Sequence, residues 1–162
     1  MAVTTLPEAY MDHLLQKLKR DYPDLTFEVS VSSPCWSPKH SKVFYRSHSG
    51  EKGVWTLLHE VGHARLCHAS YTSDIDLLHK EVGAWEEARH VAGQYGIAID
   101  NEHIQDCLDT YRDWLYKRST CPTCAAKGVQ QSMTSYLCLN CQTTWRVSHS
   151  RFCRPYRRLQ TK

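Results

Sequence analysis

The stretch WTLLHEVGHARLCH, residues 55–68, decides how this chain is interpreted. Its apolar residues return every three or four positions, which predicts an amphipathic helix from about residue 54 to residue 67. On that helix His59 and His63 lie one turn apart, so both imidazoles can reach one metal ion. Glu60 lies about 100° further round, beside the metal, where its carboxylate can accept a proton from a water molecule.

This donor set indicates zinc and hydrolysis. Zn²⁺ suits two imidazoles with an oxygen ligand, and it lowers the pKa of a bound water to about 7. Hydrolysis of an amide then becomes accessible at neutral pH, with Glu60 first accepting the proton and later passing it to the leaving amine. We therefore predict a zinc metallopeptidase with His59 and His63 as ligands, Glu60 as catalytic base and a protein as substrate.

A catalytic zinc ion needs a third protein ligand, for which the sequence offers several candidates. Glu81 is preferred, because it lies on the apolar side of the next predicted helix, where a carboxylate needs a partner. His68 is five residues after His63, about 140° round the helix, so it is expected to point elsewhere while the helix continues. The remaining candidates are two carboxylates and two histidines: Glu86, Glu87, His79 and His90. An electrophile that steadies the oxyanion is sought among three residues between which the spacing does not choose: His48, Tyr71 and Tyr95.

Four helices and a short antiparallel sheet are expected before residue 118, which predicts an α+β, minimal zincin-like domain. Ser73 is placed to start the third helix, Gly96 to close it, and Asn101 to cap the fourth. The other expected elements are a helix over 6–21 with Pro7 in its first turn, strands over 26–32 and 43–45, and a loop over 33–38.

The cysteine pattern predicts a second metal site. Cys121-Pro-Thr-Cys124 and Cys138-Leu-Asn-Cys141 are two Cys-x-x-Cys pairs separated by 13 residues. This spacing is typical of a zinc-ribbon, in which each pair lends two thiolates to one tetrahedral ion. The cofactors expected are therefore two Zn²⁺ ions, one catalytic and one structural, and metal binding should stabilise so short a ribbon. The other four cysteines are expected to be buried or free thiols: Cys35, Cys67, Cys107 and Cys153.

Charge is distributed very unevenly. Residues 1–116 have a net charge of −6, whereas residues 117–162 contain nine Lys and Arg and no acidic residue. Aromatic residues alternate with arginines in this basic region, a composition that can contact phosphates and stack on bases. Five arginines are candidate contacts to DNA or RNA, with docking onto the acidic part of the chain or onto a protein substrate as alternatives: Arg146, Arg151, Arg154, Arg157 and Arg158.

The organisation expected is a peptidase domain over 1–118, a zinc-ribbon over 119–150 and a basic tail over 151–162. No apolar run approaches the roughly 20 residues that span a bilayer, and the N-terminus lacks the features of a signal peptide. A cytoplasmic protein without a membrane partner is therefore expected. The sequence leaves the oligomeric state open.

The stretch over 55–68, together with EVGAWEEARHVA at 81–92, resembles the ImmA/IrrE-type metallopeptidases. Those proteins have a helix of the form (L)xHExxHxxLxH, a short break and a helix of the form ExxAxxxA. The resemblance covers about residues 26–96. It implies His59, His63 and Glu81 as zinc ligands, Glu60 as catalytic base, and a substrate such as a DNA-bound helix-turn-helix repressor.

Two alternatives remain at this point. SprT-like proteases combine HExxH with a C-terminal zinc-ribbon and act on DNA-bound protein, but they take a third histidine from a His-Gly segment. No His-Gly follows His63 in this chain. The other alternative is a nucleic-acid-binding protein in which both zinc sites are structural.

Overall fold

The computed structural model describes residues 8–47, 49–149, 151 and 157–160. The described residues form four α-helices and seven β-strands, and the α+β class is confirmed. The helices are α1 (Glu8–Asp21), α2 (Gly50–Arg65), α3 (Asp74–Gln94) and α4 (Asn101–Ser119). The strands are β1 (Thr26–Val29), β2 (Cys35–Ser37), β3 (Lys42–Tyr45), β4 (Val129–Ser132), β5 (Ser135–Leu137), β6 (Thr144–Val147) and β7 (Arg157–Leu159).

The chain divides into two compact units. One comprises Met1–Ser70 with Lys80–Ile104, and the other Tyr71–His79 with Gln105–Lys162. α3 and α4 each contribute residues to both units, and α4 continues to Ser119, past the expected boundary. The domain bounds of the sequence analysis stay a prediction. No described helix is both long enough and apolar enough to cross a membrane.

The sheet of the first unit is small and mixed. Its strand order is β1-β3-β2, with β1 and β3 parallel and β2 and β3 antiparallel. β2 lies within the segment over 33–38 that was expected to be a loop. Pro34 and Pro38 leave only three residues between them for this strand. A strand bounded by prolines belongs at a sheet edge, where the missing N–H groups cost no ladder bonds. The expected strand over 26–32 ends at Val29.

Helix α2 is longer at its start and shorter at its end than predicted, since it begins at Gly50 and ends at Arg65. Most of its middle is buried, and it carries the apolar core of the first unit with α1 and α3. The described part of α1 begins at Glu8, so the predicted start at residue 6 and the role of Pro7 lie outside the described residues. Leu14 and Leu18 of α1 are buried.

The ends of α3 and α4 show which caps the sequence indicates correctly. The hydroxyl of Ser73 accepts a hydrogen bond from the N–H of Asp76 (3.1 Å), as an N-cap does. Gly96 has φ +69° where α3 closes, as predicted. The cap of α4 is Asp100, whose carboxylate accepts the N–H of Glu102, and the assignment of this role to Asn101 was wrong.

The second unit contains an antiparallel sheet in the order β4-β5-β6-β7. Its core consists of buried aromatic, aliphatic and cysteine side chains: Cys121, Tyr136, Cys138, Trp145 and Val147. β7 comes from the segment expected to be a basic tail and pairs with β6.

A buried charged pair also lies in this unit. The guanidinium of Arg118 donates to Asp74 (Nε to Oδ2, 2.7 Å), and both side chains are almost fully buried. Arg118 also donates to two main-chain carbonyls, and the hydroxyl of Tyr136 donates to Asp74. Because every charge has several partners, this network fixes the start of α3 against the ribbon within the unit. Arg118 is therefore structural and not part of a basic surface.

Candidate metal centres

The first unit brings His59, His63 and Glu81 together. The Nε2 atoms of the two imidazoles are 3.1 Å apart, and each faces a different oxygen of Glu81, at 3.2 Å from His59 and 3.4 Å from His63. Four ligands at about 2.0–2.1 Å around a tetrahedral ion lie about 3.3 Å from one another. The three donors therefore have the spacing of a metal site with one further position to fill. The group could hold a metal ion.

Close packing of two helices makes this meeting possible. His59 and His63 lie on α2, and Glu81 lies on α3 across from them. A Cβ added at Gly62 would collide with the carbonyl oxygen of Ala84, so only glycine allows α2 to approach the main chain of α3 here. Ala84 is itself fully buried. Small residues on both helices thus bring the carboxylate within reach of the imidazoles.

Electrostatics keep Glu81 ionised. Burial opposes its charge, but hydrogen bonds and attraction from His59 and His63 outweigh burial and hold the pKa of Glu81 well below its usual range. An ionised carboxylate between two imidazole nitrogens is the form that ligates a cation.

Glu60 is buried on α2 beside this group. Burial raises the pKa of Glu60 above its ordinary value, although the neighbouring imidazoles act in the opposite direction. One of its oxygens accepts a hydrogen bond from the main-chain N–H of Trp36 (2.7 Å). Trp36 lies on the edge strand β2, so this N–H points away from β3 and towards the site. A buried carboxylate of raised pKa held by one donor is suited to accept a proton.

His68 lies against His63, contrary to the expectation that it points elsewhere. The α-helix ends at Arg65, and Cys67 takes a left-handed conformation with φ 52°. The N–H of His68 then donates to the carbonyl of His63 (3.0 Å) and that of Cys67 to Ala64 (3.1 Å), the two bonds of a Schellman turn. This turn brings the Nδ1 atoms of His68 and His63 to 2.8 Å. Sequence patterns do not indicate this turn, because a cysteine and not a glycine takes the left-handed position.

His59 is held differently. Its ring stacks on that of Trp85, with centroids 4.2 Å apart and an interplanar angle of 25°. Its Nδ1 is buried and has no hydrogen-bond partner among the described residues. No sequence pattern points to this stacking contact, because Trp85 has the spacing of an ordinary apolar residue of α3.

The other candidates for the third ligand are directed elsewhere. Glu87 pairs with Arg65, and Glu86, His79 and His90 are exposed. Among candidate electrophiles, Tyr95 donates its hydroxyl to Asp21 (3.0 Å), Tyr71 falls in the second unit, and His48 lies outside the described residues.

A cleft of about 480 Å³ opens beside Trp36 in the first unit. Tyr22, Leu25 and Pro38 give it apolar walls, and Arg65 and Cys67 reach it from the end of α2. Trp36 therefore both lines this cleft and donates its main-chain N–H to Glu60.

The second unit brings Cys121, Cys124, Cys138 and Cys141 together. The Sγ atoms of Cys121 and Cys141 are 3.6 Å apart, and those of Cys124 and Cys138 are 3.5 Å apart. These distances are far too long for disulfides and close to the roughly 3.8 Å separation of thiolates around a tetrahedral Zn²⁺. The amide of Asn140 and the N–H of Ala126 lower the pKa of Cys124 to about 6, which favours the thiolate. The four sulfurs could hold a metal ion.

The two cysteine pairs adopt the same turn. The N–H of Ala125 donates to Cys121 O (3.0 Å), and that of Gln142 donates to Cys138 O (2.9 Å). Both donor residues have φ 60°. Such equivalent turns present two sulfurs each to a common centre, as metal knuckles do.

The five candidate arginines do not form one group. Arg146 and Arg158 are exposed and directly opposite on β6 and β7. Arg151 stacks over Tyr111 and donates to the hydroxyl of Thr110. Arg157 donates to the carbonyl of Thr120. Arg154, with Cys153, lies outside the described residues.

Comparison with protein-family models, with curated proteins and with solved structures gives no match for this chain.

Proposed function

We propose that the protein is a zinc-dependent peptidase whose active site comprises His59, His63 and Glu81 as ligands and Glu60 as base. The observation that supports this most is the placement of a buried Glu60 beside three metal donors with an open fourth position. Three protein ligands and an open position are typical of catalytic zinc, whereas four thiolates are typical of structural zinc. The motif resemblance of residues 55–68 and 81–92 to ImmA/IrrE-type peptidases implies the same roles for these residues.

The residues of the proposed site have separate roles. Zn²⁺, when bound, supplies Lewis-acid polarisation of a substrate carbonyl and lowers the pKa of water. Glu60 accepts the proton of the attacking water and passes it to the leaving amine. The N–H of Trp36 holds the carboxylate of Glu60 in the orientation this requires. An extended substrate segment beside β2 would place a side chain in the cleft next to Trp36.

The substrate we propose is a protein, such as a DNA-bound repressor, cleaved in the cytoplasm. A screen tests the reaction without knowing the substrate: peptides from a digested proteome are incubated with the zinc-loaded chain, and new termini are identified by mass spectrometry. Glu60→Gln should abolish the new termini while the chain keeps its metal in both groups. Equal cleavage by both proteins would contradict the role of Glu60. Metal bound only by the cysteine group would contradict the site itself.

A second candidate function, binding of nucleic acid, rests on Arg146 and Arg158. Like charges directly opposite on adjacent strands destabilise a sheet unless an anion lies between them. Neither side chain has a hydrogen-bond or ion-pair partner among the described residues. A polyphosphate backbone would supply the missing counter-charge.

Fluorescence anisotropy with labelled single-stranded and duplex DNA tests this candidate. Replacing both Arg146 and Arg158 by Ala should weaken binding and lower the salt dependence by about two counterions. Arg112→Ala is the control, because Arg112 is an exposed arginine of the same unit already paired with Asp109. An equal loss of binding in Arg112→Ala and in the double variant would contradict a specific role of Arg146 and Arg158 in binding DNA.

A further inference from the structure

We propose that His68 is a positioning residue for the metal ligand His63, and that Trp36 holds both His68 and Glu60 in place. This inference rests on the proposed metal site in the first unit. Neither residue offers an atom to the metal, and both act through the groups that they contact.

The hydrogen bond between the imidazoles of His63 and His68 is the first observation behind this proposal. As a neutral metal ligand through Nε2, the ring of His63 would carry its proton on Nδ1. His68 Nδ1, 2.8 Å from His63 Nδ1, is placed to accept that proton in a hydrogen bond. His68 then fixes the tautomer and the ring angle of His63, as hydrogen-bond acceptors behind metal-bound histidines do.

The helix end makes this partner available. In a Schellman turn the residues at the positions of His63 and His68 commonly make an apolar contact. Here the same two positions carry imidazoles. The turn that stops α2 therefore also supplies the acceptor behind the ligand, and the left-handed Cys67 is the residue that allows it.

Trp36 links this pair to the catalytic base. Its indole Nε1 donates to the carbonyl of His68 (2.9 Å), and its main-chain N–H donates to Glu60 (2.7 Å). One residue of the edge strand thus restrains the acceptor behind His63 and the carboxylate of Glu60. His59, by contrast, depends on the ring of Trp85.

Metal affinity measured on the full chain tests the proposal. Co²⁺ is titrated against a chelator, because thiolate-bound and imidazole-bound Co²⁺ absorb differently and the cysteine group serves as an internal reference. His68→Leu should weaken Co²⁺ binding at the histidine site about 10- to 100-fold. His68→Asn, whose amide can replace Nδ1, should restore most of the affinity.

A matched pair of tryptophan variants tests whether the indole of Trp36 holds His68 in place. Trp36→Phe keeps a ring and loses the indole donor, and should weaken the same site by about 2- to 10-fold. Trp55→Phe is the control, because Trp55 Nε1 has no hydrogen-bond partner among the described residues. It should leave the affinity unchanged.

The outcomes separate the two proposals. If the wild-type chain binds Co²⁺ only through cysteines, the proposed function fails. If it binds both ions and His68→Leu and His68→Asn behave alike, the hydrogen bond has no positioning role and only this inference fails. Equal losses for Trp36→Phe and Trp55→Phe would likewise overturn the role of Trp36.

Discussion

The two candidate metal centres of this protein are built in opposite ways. The cysteine group takes its four sulfurs from two equivalent turns, each closed within six residues by its own main-chain hydrogen bonds. The histidine group takes its donors from two helices, which must approach closely at Gly62 and Ala84. The cysteine group offers four protein donors, whereas the histidine group offers three, beside the buried carboxylate of Glu60. The difference indicates that local turns suffice to bring four thiols together, whereas the proposed active site draws its donors from two separate helices.

The largest effect should come from removing a thiolate. Cys138→Ser deletes a fully buried ligand of the cysteine group. Structural zinc sites contribute about 10 kcal/mol or more of binding free energy, so the variant should lose one metal ion and the order of the second unit's sheet. Metal analysis and circular dichroism would measure both losses. Cys107→Ser, which changes a cysteine of the same unit outside the group, should lose neither. Loss of metal from the histidine group as well would show that the two centres do not fold separately.

The next largest effect tests whether metal alone stabilises the second unit. Arg118→Met should lower the free energy of unfolding by about 3–5 kcal/mol, because it leaves the carboxylate of Asp74 buried without its cation. Urea denaturation of the zinc-loaded chain measures this. Arg112→Met, in an exposed pair with Asp109, should cost about 1 kcal/mol or less. A small effect of Arg118→Met would mean that metal ligation dominates the stability of this unit.

Helix packing at the histidine group is the subject of a third prediction. Gly62→Ala should push α3 away and weaken metal binding there about 10- to 100-fold, while the cysteine group keeps its metal. Gly93→Ala on α3 is the matched control, since a Cβ there meets nothing within 4 Å. That change should stabilise the helix by up to about 1 kcal/mol. Unchanged metal affinity in Gly62→Ala would contradict the close approach of α2 and α3.

The smallest effect concerns left-handed residues, which both centres share. Cys67 ends α2 at the histidine group, and Ala125 and Gln142 close the turns of the cysteine group. Replacing each by Gly should stabilise the chain by up to about 1 kcal/mol, because glycine adopts this conformation without steric cost. Thermal unfolding of the three variants measures the change. Destabilisation by Cys67→Gly would show that its side chain contributes contacts as well as a turn.

Prediction from sequence succeeded where the signal is local. The helix that carries His59 and His63, the two Cys-x-x-Cys turns, Ser73 as a cap and Gly96 as a terminator all depend on residues a few positions apart. It failed for β2, a three-residue strand between prolines whose partner β3 decides its conformation. It also failed for Asn101, because Asp100 one residue earlier makes the capping bond.

The sequence by itself determined the chemistry available: two imidazoles one helical turn apart, a carboxylate beside them, and four thiolates in two pairs. Only the tertiary structure decided which carboxylate meets the imidazoles, because Glu81, Glu86 and Glu87 differ in direction and not in type. It also decided that His68 lies behind His63, since the conformation of one cysteine turns the chain back. Helical periodicity fixes where side chains point along one helix, but contact between helices depends on packing that no short stretch encodes.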